Sequence, residues 1–539
     1  MNNNKFYVIF LLFFLPWVGK TQTPLRTAPL TAEQREVFIQ NALKLRKDEN
    51  FTGALMQLDS ILQGQPKDAA ALLFKGDLLL QNKSFSKAVT TYQALLSLNY
   101  EPTITRINLS YALFMAHHPS KALHYAKIAW EGDKINPNAV VNYFNAMLWN
   151  IQTKQASDFL QKQNQLLKPD QILVLKARLY TTSGNYKKGI LYYDSLNTKF
   201  LNKFYRKEYA EVLLGKKQFK ASIELMKKDS TLFSPNEYHE FIQKYKGIRR
   251  QGVGTEFAYF EDIAKNVRIE NAIWWQQGEG HVYTFGLRAG VSSITSFPNQ
   301  KTNAEFIHLT ISERWSKAWT GLSDLHLQRI QPEGTKGFYG LTGKQTIQYQ
   351  PNDRKMVGLF YSSDILNYTA SLLGQNIRSS SFGYVTHLML NGRNGFYSQG
   401  TIGFLSDDNV SNQFFGSLYH LFRTEPTLKA GLNFSALHYK DNSIQYYFSP
   451  NRYLSSEVFA DYTTPLPALS KFYLQVQAGA GFQKIEKLSW ESAFRFQPEI
   501  GMRLNHFETA FKYQTSNVAS STGTGYRFNW YTLRLAWRW

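Results

Sequence analysis

The apolar residues of this 539-residue chain change their spacing once, near residue 250, from a helical period to strict alternation. No single compact domain satisfies both patterns, so two kinds of polymer are joined end to end. Charge divides with them: residues 1–250 carry 35 basic and 19 acidic side chains, residues 251–539 carry 26 and 21. The chain has no cysteine, which excludes disulfides, thiolate metal sites, thiol nucleophiles and lipid attachment through an N-terminal Cys.

Residues 1–21 read as an exported signal peptide. Lys5 precedes an apolar run from Phe6 to Pro16, and Trp17-Val18-Gly19-Lys20-Thr21-Gln22 follow, which predicts cleavage near Thr21 or Gln22. That run is shorter than the roughly 20 residues a membrane-crossing helix requires. No later segment reaches about 18 uninterrupted apolar residues. The mature chain is therefore expected to have no transmembrane helix, and any membrane crossing must be made by strands.

Residues 31–246 repeat. Phe51, Phe85, Pro119, Thr153, Tyr186 and Phe219 stand 33 or 34 residues apart, and Ala54, Ala88, Ala122, Ala156, Gly189 and Ser222 follow each by three. A small residue at fixed phase permits close helix approach, and the aromatic fills the groove beside it, so paired antiparallel helices stacking on their neighbours are predicted. The second unit is the fullest, with Leu72, Gly76, Leu79, Phe85, Ala88, Tyr92 and Leu95. It resembles the tetratricopeptide (TPR) family, with Leu in place of the initial Trp. About six units are expected, with a capping helix over 236–246. Basic residues thicken toward the end of the array, from Lys203 to Arg250; they read as solvated helix faces or as a positive rim for an anionic partner.

Residues 254–539 alternate with period 2 between turn clusters. In the last segment Tyr531, Leu533, Leu535, Trp537 and Trp539 share one face, and Thr532, Arg534, Ala536 and Arg538 the other. An apolar outer face against a polar inner one is what a transmembrane strand needs. Phe306–Trp315, Phe396–Leu405, Phe414–Phe422, Leu428–Tyr439 and Phe472–Phe482 read alike. Eight of the 11 tryptophans lie beyond residue 270, as an aromatic girdle at the headgroup level would have them. The expected fold is therefore a TPR α-solenoid followed by an antiparallel outer-membrane β-barrel of about 16 strands, an even number that leaves no edge in lipid.

Three stretches of the barrel carry a more specific likeness. They are Ser363-Asp364-Ile365-Leu366-Asn367-Tyr368 with Gly374; Asn391-Gly392, Gly395-Phe396-Tyr397 and Gly403 leading to Asp408-Asn409-Val410-Ser411-Asn412; and Tyr439 with Tyr446-Tyr447-Phe448-Ser449-Pro450-Asn451-Arg452-Tyr453. In order and distance they resemble the C-terminal barrel of the outer-membrane subunit of bacterial cellulose secretion, itself a signal peptide, a TPR array and a barrel. The chain departs from that pattern in having Ser443-Ile444-Gln445 where the family has a Gly-rich turn, and in having far fewer repeats. More loosely it resembles the YaiO-type outer-membrane barrels, some of which follow TPR domains.

The resemblance implies an outer-membrane component of exopolysaccharide secretion, with cellulose and other glycans equally compatible. The alternative is a barrel that anchors a periplasmic TPR adaptor for envelope proteins and transports nothing. Asp364, Asn409, Asn412, Tyr446, Tyr447, Tyr453, Arg534 and Arg538 are the candidate lumen or loop residues. The implied partners are outer-membrane lipid, the barrel-assembly machinery, and polysaccharide or its periplasmic and inner-membrane synthesis proteins. Nucleic acid is disfavoured by export. No His-Glu-x-x-His array, Gly-x-Ser-x-Gly elbow or phosphate loop occurs, so no cofactor, metal or catalytic role is expected.

Overall fold

In the computed structural model the described residues are 30–316, 318–352, 354–390, 393–424, 426–444, 446–465, 471–518 and 527–539. The signal peptide, Asn391-Gly392 and Gln445 lie outside them. The chain forms two units, to Ala116 and from His117.

The first unit holds α1 (Ala32–Lys47), α2 (Phe51–Gly64), α3 (Ala69–Gln81), α4 (Phe85–Ser97) and α5 (Pro102–Met115). The second begins with α6 (Pro119–Gly132), α7 (Pro137–Trp149), α8 (Thr153–Gln163), α9 (Pro169–Thr182), α10 (Tyr186–Lys199), α11 (Lys203–Gly215), α12 (Phe219–Lys228) and α13 (Pro235–Ile248).

The repeat period reappears in the backbone. Glu49, Lys83, His117, Ile151, Gly184 and Lys217 all have φ between 56° and 80°, and each stands two residues before an even-numbered helix. A left-handed residue is what turns the chain sharply between antiparallel helices, and five of the six are not glycine. Ala54, Ala88, Ala122 and Ala156 are fully buried at the helix crossings, Phe219 is buried, and Phe51, Phe85 and Tyr186 are half-buried at the first position of their helices. A Cβ on Gly76 would stand 2.5 Å from the Tyr92 ring, whose hydroxyl donates to Asp77 at 2.6 Å. Asp68 caps α3 through the Ala71 amide and holds the Arg35 guanidinium at 2.5 Å. That hydrogen bond keeps its carboxyl below the ordinary carboxylate range.

The strands are β1 (Gly252–Asp262), β2 (Val267–Gln276), β3 (Tyr283–Ser296), β4 (Gln300–Arg314), β5 (Trp319–Pro332), β6 (Phe338–Asn352), β7 (Lys355–Ile365) and β8 (Arg378–Met389). Then come β9 (Asn394–Leu405), β10 (Val410–Thr424), β11 (Thr427–Tyr439), β12 (Tyr453–Pro465), β13 (Phe472–Ile485), β14 (Glu491–Arg503), β15 (Phe507–Ser516) and β16 (Phe528–Arg538). Each pairs antiparallel with its sequence neighbours, and β1 pairs with β16, closing a 16-stranded barrel.

The alternation fixes which side chain meets which solvent. Ile273, Leu341, Leu359 and Val458 point outward, each more than 60% exposed, within an apolar belt to which strands from β1 to β16 contribute. A water-soluble protein rarely exposes more than a few hundred Å² of contiguous apolar surface, so this belt is the lipid-facing wall. Among the described residues no helix is long and apolar enough to cross a membrane.

One expectation needs correction. Trp315, Trp319, Trp490, Trp537 and Trp539 are outward and about half exposed, but Trp274 and Trp530 face the lumen. Trp274 is adjacent to Trp275 on one strand, and a period of 2 sends neighbours to opposite faces. Trp530 lies with Thr532 and Arg534 on the inner face of β16 and packs edge-on against Phe260 at 5.4 Å.

Candidate functional site: the lumen and its far-end loops

The end of the barrel where β1 begins, the near end, has turns of two to six residues between paired strands. The opposite, far end has three long connections, 366–377, 440–452 and 517–527, and two of them are built on inward-facing residues.

Connection 366–377 contains a short helix, α14 (Ala370–Gly374), capped by the Thr369 hydroxyl. Ala370 is gripped from both sides: its amide donates to Ser296 Oγ at 2.9 Å and its carbonyl accepts from Thr302 Oγ1 at 2.9 Å. Ala370 and Leu373 pack with Ile294, Ala304 and Ile330 on the inner faces of β3, β4 and β5. Leu372 packs instead with Leu405, Leu437 and Tyr453 from β9, β11 and β12. The Asn367 carbonyl accepts from Arg268 of β2. A helix joined to both β3–β5 and β9–β12 lies across part of the far mouth, as a lid.

The second long connection is clamped beside it. Asn409, 2% exposed in the β9–β10 turn, donates through Nδ2 to the Asp441 carbonyl at 2.9 Å and to Tyr447 Oη at 3.0 Å, while its Oδ1 accepts from the Asp441 amide at 2.9 Å. Tyr447 in turn donates to Asp407 at 2.9 Å, and burial together with that carboxylate pushes its phenol up. Tyr453, fully buried, bonds Gln483 at 3.2 Å, and Gln483 reaches the Asn517 carbonyl at the start of the third connection.

The other residues marked in the sequence are scattered. Tyr446 is 58% exposed on its loop. Asp364, the last residue but one of β7, lies on the face of Ser362 and Lys344, toward the lumen. Asn412 shares the outward face of β10 with Phe414 and Leu418, so it is neither a lumen nor a loop residue; the two-residue step from Phe414 fixes its side. Arg534 lies over the inward Trp274 ring at 5.6 Å, and Arg538 pairs with Glu508 at 2.9 Å.

Below the lid the lumen wall is polar, with ion pairs between strands one or two positions apart. Arg288 bonds Glu256 at 2.9 Å and also Glu270; Lys429 bonds Asp461 at 2.7 Å; Arg495 bonds Glu457 at 3.3 Å. Set among them is a cavity of about 440 Å³ with Tyr397, Phe415, Tyr419 and Phe459 on its walls beside Lys429 and Arg495. Tyr419 lies flat against Gly395, where a Cβ would strike the ring, and its hydroxyl is 2.6 Å from His387 Nε2. Lys429 sits 5.0 Å from the Tyr419 ring centre and 5.7 Å from that of Phe459. Flat aromatic faces beside paired polar groups give this wall apolar platforms with polar edges. Of the four aromatics the sequence marked only Tyr397, in the Gly395-Phe396-Tyr397 stretch; the signal for Phe415 and Tyr419 was parity, since they alternate with outward Phe414 and Leu418.

The chain is similar to several solved structures. A "Bacterial polysaccharide outer membrane secretin" is 8% identical over 54% of this chain and 99% of its own, with a TM-score of 0.43. A thermophilic TPR protein of Thermus thermophilus is 17% identical over 33% of this chain and 99% of its own, TM-score 0.29. A tetratricopeptide repeat protein from Parabacteroides merdae is 14% identical over 40% and 86%, TM-score 0.31. No curated protein matches the sequence. Residues 377–539, from β8 to the chain end, match the family described as cellulose synthase operon protein C C-terminus.

Proposed function

We propose that the protein is an outer-membrane component of exopolysaccharide secretion, with near end and repeat helices in the periplasm and far-end loops at the cell exterior. The observation that carries this reading is the lumen: a 16-stranded wall bearing cross-strand ion pairs, with aromatic platforms at Tyr397, Phe415, Tyr419 and Phe459 that lie within the segment matching the cellulose-operon family. Weak, repeated stacking suits a polymer in transit better than one tight site. The chain has no phosphate loop, so movement must be driven by synthesis elsewhere. The repeat helices would dock polymer or biosynthetic partners. Gene deletion should abolish one surface polysaccharide, and Tyr419→Ala with Phe415→Ala should lower its amount while the barrel still assembles. Unchanged polysaccharide after deletion would refute the proposal.

A second reading, an outer-membrane anchor for a TPR adaptor, is favoured by the closed lid. It requires deletion to remove one envelope protein from the membrane and leave surface glycan intact.

A further inference from the structure

The connections between odd- and even-numbered helices in the second unit meet the near-end turns of the barrel one by one. The Asn150 carbonyl, at the end of α7, accepts from Arg393 Nη2 at 2.8 Å, in the β8–β9 turn. Gly184, after α9, lies against Arg354 of the β6–β7 turn, where a Cβ would stand 3.1 Å from Arg354 Cγ. The Lys217 carbonyl, after α11, accepts from Arg314 at the end of β4 at 3.5 Å, and Lys217 Nζ pairs with Glu279 of the β2–β3 turn at 2.9 Å. Arg249, after α13, donates to the Glu279 carbonyl at 3.2 Å. His118, before α6, feels Arg423 near the β10–β11 turn, although burial is the larger cause of its lowered pKa.

Three features make this a built interface. The repeat-side residues recur every 33 or 34 positions and include the left-handed turn residues Gly184 and Lys217. The barrel answers with an arginine at or beside successive near-end turns, and two of these arginines bond carbonyls at helix C-termini, where a cation is favoured by the helix dipole. The two pitches also agree. Same-end turns of an antiparallel sheet are two strand spacings apart, about 10 Å, and packed helices stand about 8–10 Å apart. A helical array can therefore follow a barrel rim without losing register.

We propose that α6–α13 form a fixed collar on the near rim, one repeat per hairpin, and that the lumen opens into the space this collar encloses. Following a closed rim bends the array toward the barrel axis, and the packing of α7 on α9 puts the odd-numbered helices on the inside of the bend. The collar's inner strip is then Asn145, Arg178 and Glu208, joined across α7, α9 and α11 by bonds of 3.2 and 2.6 Å. It is the first surface met by anything entering the lumen. The inference is independent of what the lumen carries.

The absence of native cysteine permits a clean test on the full-length protein in membranes. The pairs Lys217→Cys with Glu279→Cys and Ser183→Cys with Arg354→Cys should be joined by a short bis-maleimide. The pair Asn164→Cys with Arg354→Cys, whose first member lies at the opposite ends of the helices, should stay at background. Combining Arg314→Glu and Arg393→Glu with the Lys217/Glu279 pair should abolish its cross-link and expose residues 249–251 to protease, while heat-modifiable gel mobility reports an intact barrel. Background yield at both rim pairs, or equal yield at the control pair, overturns the collar. A cross-link that survives the charge reversals overturns the role given to the arginines.

Discussion

Opening the lid should convert a closed barrel into a conducting one. Leu372 is fully buried and Leu373 is 2% exposed, and they belong to different apolar clusters, one toward β9–β12 and one toward β3–β5. Truncating a buried leucine to alanine costs about 3 kcal/mol, within a range of about 2–5. Because the two side chains point into separate clusters, their losses should nearly add, giving about 6 kcal/mol. That is enough to invert a two-state equilibrium from about 1:99 to 99:1, which takes about 5.5 kcal/mol. The hydrogen bonds to Ser296 Oγ and from Thr302 Oγ1 act on the backbone of Ala370 and remain in either variant. Each single substitution should therefore produce brief openings in planar bilayers, and the pair a persistent conductance. Neither residue belongs to a strand, so the barrel should fold as before. A double variant as silent as the parent, in a barrel of normal gel mobility, would refute the reasoning that α14 is what closes the mouth.

Other consequences are local. Asn409→Ala removes three bonds from a buried clamp and should cost about 2–3 kcal/mol, read as faster proteolysis within 440–452. Gly76→Ala forces a methyl against a Tyr92 ring held in place by Asp77, and should lower stability by about 1–3 kcal/mol in chemical denaturation. Asp68→Ala removes the cap of α3, worth about 1 kcal/mol, and an ion pair worth at most about 1 kcal/mol. Because the folded Asp68 pKa is depressed, its contribution is present above the unfolded value and is lost as pH falls through the folded one. Thermal melting of the helical signal should show that acid-side loss in the parent and lose that slope in Asp68→Asn.

The repeat and the barrel were readable for the same reason: each is a periodic solution to one burial problem. The 34-residue spacing of Phe51, Phe85 and Pro119 marks helix starts because a left-handed residue two positions earlier must recur with it. The alternation in β16 was plain because Leu533 and Leu535 face lipid while Arg534 does not. Composition misled for Trp274, and the Asp408–Asn412 stretch for Asn412, because neither takes account of parity. The lid was not readable. Ala370-Ser371-Leu372-Leu373 is an apolar stretch with no period long enough to declare itself, and its partners, Ile294, Ile330 and Leu437, lie about 40 to 80 residues away. The clamp was half visible: Asn409 and Tyr447 stood out as polar and aromatic loop residues, but only the fold brings them to 3.0 Å.

Strand number bears on the choice between transport and anchoring. An eight-stranded barrel has an interior that side chains fill, and it would hold an adaptor in the membrane. Sixteen strands enclose a space that side chains from the wall cannot fill, the size at which porins hold water. Here that space is lined by ion pairs and aromatic faces rather than by a packed apolar core, as the path of a polar cargo would be. Such a pore left open would pass small solutes in both directions. A lid seated by apolar contacts and two hydrogen bonds to the backbone of Ala370 would limit that leak between passages of polymer. The closed mouth, which taken alone favours the adaptor, weighs toward export once the width and chemistry of the lumen behind it are considered.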